Sequence, residues 1–141
     1  MRLALLTAAV LFADPALAQD RPAEMREALV GLTRVLGESH ALRQACEGVS
    51  DQHWRGRMNR LVETEQPDED LDARMKASFN AGFAESRRLY PVCSDGSRRA
   101  LALAAIRGRE LSTTLAHAKY RSGVMPVEPE AEQVTAEPEP R

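Results

Sequence analysis

From residue 23 onward the chain alternates long stretches of helical periodicity with short polar breaks. Between Ala23 and Ala45, the apolar residues Met25, Leu29, Leu32, Leu36 and Leu42 fall at spacings of four, three, four and six, which predicts an amphipathic helix. Gly31 and Gly37 interrupt it, and because each weakens a helix by up to about 1 kcal/mol relative to alanine, they point to close packing or a bend. His40, with Arg43 and Gln44, is expected on the last turns, where positive charge suits the helix dipole. Gly48 ends the helix, as the residue best suited to a left-handed C-terminal conformation. A second helix, capped by Ser50 or Asp51, is predicted to run to about Glu65. Trp54, Met58, Leu61 and Val62 share one of its faces, and Arg55, Arg57, Asn59 and Arg60 lie on the other.

Pro67, in the acidic turn from Gln66 to Asp70, cannot continue that helix. A third begins at about Leu71, with Met75, Phe79, Phe83 and Tyr90 spaced four, four and seven apart. Gly82 beside Phe83 leaves room for another backbone or a ligand. After Tyr90-Pro91-Val92-Cys93, Ser94 or Asp95 caps a fourth, alanine-rich helix from Arg98 to Ala118. Its inner face is expected to hold Leu101, Ala104, Ala105, Gly108, Leu111 and Leu115. The absence of strand-like alternation and of internal repeats makes the fold class all-α. Four helices on short turns favour an up-down bundle, which brings the ends of the first and third helices, and so Cys46 and Cys93, to one end.

The two ends of the chain add a compartment to this picture. Met1 to Ala18 reads as a secretory signal: a basic start, an apolar run from Leu3 to Ala13, and the small-x-small site Ala16-Leu17-Ala18 before Gln19. That run falls well short of the roughly 20 residues that cross a bilayer, so cleavage after Ala18, a periplasmic destination and no stable membrane insertion are expected. In that oxidising compartment Cys46 and Cys93 are expected to pair. Closing a loop of that length is worth roughly 4 kcal/mol in the chain-entropy model. Residues 19–121 form the expected helical domain, and 122–141 an acidic segment rich in proline and glutamate, too poor in apolar surface to order itself. From Val124 to Arg141 that segment carries five Glu and one Arg, about −4, and leaves roughly +2 on the rest of the mature chain. This excess is too small to imply nucleic acid as a partner.

Candidate chemistry gathers near the cysteines. Asp51, Gln52, Trp54, Arg55 and Arg57, with Asn80 on the third helix and Arg98 just beyond Cys93, combine an aromatic platform, amides and guanidinium groups. Arginine forks bind carboxylates, and an indole face stacks on a sugar ring or an aliphatic stem. Capping by Asp51, core packing of Trp54 and arginines that are solvated or pair with Glu47, Glu63 and Glu65 would explain the same residues without a ligand. His40, His53 and His117 have no metal-ligand spacing, and no cofactor motif is present. A catalytic constellation is likewise missing; the one enzymatic alternative is a cell-wall hydrolase using Glu65 as a lone acid.

The succession His40-Ala41-Leu42-Arg43 with Cys46, Asp51-Gln52 with Trp54-Arg55 and Arg57-Met58, Phe79-Asn80 with Gly82-Phe83, Tyr90-Pro91 with Cys93, and Arg98-Arg99-Ala100 resembles a known family. It is similar to small exported alphaproteobacterial proteins with two well-separated cysteines, a family of unknown function. The likeness covers about residues 25 to 116. It implies an envelope location and a disulfide, and brings no catalytic residues; Phe83 stands where a tyrosine is common in the family. The expectation is a non-catalytic periplasmic protein that binds peptidoglycan or a cell-wall growth or division complex. A protein-interaction adaptor or helical dimer is the main alternative.

Overall fold

A computed structural model describes residues 21–121, so the expected leader (1–18) and the acidic segment (122–141) lie outside the described residues. Four helices follow in order: α1 (Ala23–Glu47), α2 (His53–Glu65), α3 (Glu69–Leu89) and α4 (Asp95–Arg121). Their directions alternate, as the connections demand. They do not form a square of equal neighbours, however. Helix α1 packs along α3, α4 and α2, while the backbones of those three stay farther apart and meet through side chains such as Arg55 on Phe79 and Lys119 with Glu65.

This hub role explains one glycine of α1, Gly37, and one of α3, Gly82. A β-carbon on Gly37 would collide with the carbonyl of Phe79, and one on Gly82 with the carbonyl of Arg34, so α1 and α3 meet backbone to backbone. The core around the hub joins Met25, Leu29 and Leu36 of α1 to Met58, Leu71, Met75, Phe79 and Leu115, with Trp54, Leu61 and Val62 packed against it.

Local chemistry sets the helix ends. Gly48 takes φ 98°, and its N–H donates to the carbonyl of Gln44 at 3.0 Å. Asp68 caps α3, its carboxylate accepting from the N–H of Leu71 at 2.9 Å. Ser94 and Ser97 cap α4 reciprocally: the N–H of Ser97 donates to Ser94 Oγ at 3.1 Å, and the N–H of Ser94 to Ser97 Oγ at 2.8 Å. Helix α2 starts later than expected, after Gln52, and its N-cap residue supplies no side-chain bond. Asp51 instead reaches the N–H of His53 at 3.1 Å.

Two further expectations need correction. His40 is 1% exposed rather than a cation near a helix end, packed against the Phe79 and Phe83 rings of α3. Ala105 faces out with Leu103 and Ile106, and the inward stripe of α4 runs through Ala104 and Leu115 to Ala118. Alternating helix directions bring Cys46 and Cys93 together in a disulfide, with Cα atoms 4.5 Å apart.

Candidate functional site

The disulfide marks one end of the bundle, and charge is distributed unequally between that end and the other. At the far end almost every cation is answered. Arg26 pairs with Asp68 and with Asp70 at 2.8 Å, Arg74 with Glu27 at 2.6 Å, Arg121 with Glu24 at 2.5 Å, and Glu65 with Lys119 at 2.5 Å and Arg21 at 3.8 Å. The Arg26 guanidinium and the N–H of Leu71 together hold the Asp68 carboxyl down to about 2.

At the disulfide end, exposed Arg55, Arg57, Arg87, Arg88, Arg98 and Arg99 make no ion pair with a described residue. Of the two ligand-free expectations for the second helix's arginines, solvation holds and pairing with Glu47, Glu63 or Glu65 does not occur among the described residues. Arg55 instead lies over the Phe79 ring, 5.7 Å from its centroid, and Arg98 Nη1 lies 3.8 Å from Cys93 Sγ. The first turn of α2 holds no acid, so its arginines add to the positive pole of the helix rather than offsetting it.

The remaining sequence-predicted residues are dispersed. Asp51 is held by Arg43 Nε at 2.7 Å, which keeps its carboxyl below the ordinary range; it braces the α1–α2 turn. Gln52 Nε2 donates to the Val49 carbonyl at 3.3 Å within the same turn. Trp54 packs against the core with its ring edge-on to His53, centroids 5.1 Å apart. Its Nε1, like His40 Nδ1, is buried without a hydrogen-bond partner among the described residues. Burial pushes the His40 imidazole below its usual range, and the nearby Arg55 charge adds to that.

Arg55 and Asn80 do come together. They line an open groove of about 420 Å³ between α2 and α3, with Asn59, Glu63 and Lys76 on its walls and Phe79 and Met58 at its base. Asn59, Glu63 and Lys76 were not anticipated as site residues, although the four-residue steps from Arg55 to Asn59 to Glu63, and from Lys76 to Asn80, put each set on one helix face. A second groove, about 510 Å³, lies between α3 and α4, where exposed Leu89 and Leu103 flank Arg99. No cluster of three or more potential metal ligands occurs among the described residues, and no helix among them is long and apolar enough to cross a membrane.

Fold and site thus define a small all-α domain, stapled at one end by a disulfide and carrying open grooves between α2 and α3 and between α3 and α4. The chain belongs to the family described as Protein of unknown function (DUF2385), whose model matches residues 25–120. Neither a curated protein nor a solved structure matches it.

Proposed function

We propose that this is an exported, non-catalytic periplasmic protein that binds the cell wall through the arginine-rich surface around Cys46 and Cys93. The observation that carries the reading is the set of exposed arginines at that end with no acidic partner. Several of them sit in the first turns of α2 and α4, where an exposed cation costs about 0.3–1 kcal/mol against the helix dipole. Such a surface attracts carboxylates, and peptidoglycan is the abundant carboxylate-bearing polymer of that compartment. The leader-like start of the chain and the disulfide support export.

Purified protein lacking residues 1–18 should co-sediment with isolated sacculi, and added salt should release it. The combined variant R55Q/R57Q/R98Q should lose most of the pelleted fraction while unfolding at the same temperature. Pelleting no greater than that of an unrelated periplasmic protein overturns the reading.

Exposed Leu89 and Leu103 favour a second reading, an adaptor that docks a partner protein between α3 and α4. Retention of a partner by wild-type protein but not by L89S/L103S would establish it. Glu65, buried and engaged by two cations, lends no support to a hydrolase.

A further inference from the structure

We propose that the α2/α3 groove takes a short peptide end bearing both a free carboxylate and a free amine, Arg55 receiving the carboxylate and Glu63 the ammonium. This rests on the wall-binding reading and narrows it, from a polymer to its peptide part. The stripe Arg55, Asn59, Glu63 runs along one side of α2 in four-residue steps, which sets its charged ends about 12 Å apart along the helix axis. Helix α3 runs opposite to α2, so Asn80 lies toward the Arg55 end and Lys76 toward the Glu63 end.

The state of each group decides the chemistry. Lys76 is committed to Asp72, with Nζ 2.6 Å from Oδ2. Arg55 and Glu63 are exposed and make no ion pair with a described residue, which leaves one positive and one negative charge at opposite ends of the groove. Between them, the exposed amides of Asn59 and Asn80 offer donors and acceptors matching a peptide's own N–H and C=O groups. Partly buried Val62, above the buried Met58 and Phe79, supplies the apolar part of the floor for the aliphatic stem of a side chain. The groove, at about 420 Å³, is at the small end of ligand clefts and suits a few residues. A neutral glycan has no cation for Glu63, and a bare polyanion would be repelled by it. A wall stem peptide, with its free carboxylate and the amine of its diamino acid, answers both ends.

The probe is acetyl-Ala-Glu-Lys with a free C-terminus, titrated calorimetrically into the disulfide-bonded chain from residue 19 to 141. Amidating the C-terminus should weaken binding about tenfold, and acetylating the lysine amine should do the same, as each removes one charge-assisted hydrogen bond. In R55Q the amidated and free peptides should bind alike; in E63Q the acetylated and free peptides should. If the three peptides bind wild-type protein equally, or the free peptide fails to bind at millimolar concentration while sacculi still pellet the protein, the groove assignment falls and wall binding stands. Charge-dependent peptide binding without sacculus binding leaves the groove and removes the wall. Failure of both assays overturns both.

Discussion

The carbonyl of Phe79 occupies the place that a β-carbon on Gly37 would take, and this contact, with that of Gly82 on the Arg34 carbonyl, sets how closely α3 approaches the central helix. Gly37→Ala should therefore force the two backbones apart and lower stability by about 1–3 kcal/mol, the usual cost of overpacking. Gly56 has nothing nearer than the tip of Arg60, 3.7 Å away, so Gly56→Ala should stabilise by up to about 1 kcal/mol. Urea unfolding of the two variants should show midpoints moving in opposite directions with unchanged slopes. Equal midpoints would mean that the helices do not cross at Gly37.

The bridge between Cys46 and Cys93 closes a long loop and ties α1 to the start of α4. Reduction should cost about 2–4 kcal/mol, mainly by freeing the unfolded chain. Both cysteines should resist alkylation in the oxidised protein and react once dithiothreitol is added. The helices should persist in the reduced protein by circular dichroism, with a lower melting temperature.

Acid should act in two separate windows. His40 is held neutral, its folded value lying below the ordinary 6.5, so the unfolded chain binds the extra proton first. Its contribution is complete above about pH 6.5 and is lost as the pH falls through the lower folded value. The loss of stability on going from pH 7.5 to 5.5 should shrink in His40→Phe. If the slope is unchanged in that variant, His40 is not the group responsible.

Asp68 acts lower on the scale. Its carboxyl is depressed from 3.8 to about 2, so the stability it provides is present above pH 3.8 and disappears as the pH falls through about 2. Asp68→Asn should lower stability at pH 7 yet match wild type near pH 2. That convergence is measurable as merging thermal midpoints.

Glu65 is 6% exposed and faces Arg21 and Lys119. Glu65→Gln should cost about 2–3 kcal/mol, somewhat below the cost of breaking a fully buried pair, because its partners keep some contact with water. Sacculus binding should be unaffected, since Glu65 is buried against Arg21 and Lys119 and lines neither groove. Loss of binding in a folded Glu65→Gln protein would relocate the site.

Helix number and most helix ends were readable from the residues because their causes are local, and the cysteine partners because the chain holds only two. The four-residue steps of Met75, Phe79 and Phe83, the capping Ser94, and Gly48 after Glu47 each act within a turn or two of chain. Arg55 and Asn80 were legible as candidates for the same reason: each is a polar residue standing out on its own helix.

Which helix would be central was not legible, nor the burial of His40, the pairing of Asp51 with Arg43, or the freedom of the arginines at one end. These depend on which faces meet after packing, and a close approach such as Gly37 on Phe79 is decided by sterics between residues 42 positions apart. The amino-acid sequence by itself determined four amphipathic rods and a covalent link. Only the tertiary structure placed α1 at the hub and opened a groove on either side of α3, because three helices gathered around one leave their outer flanks apart.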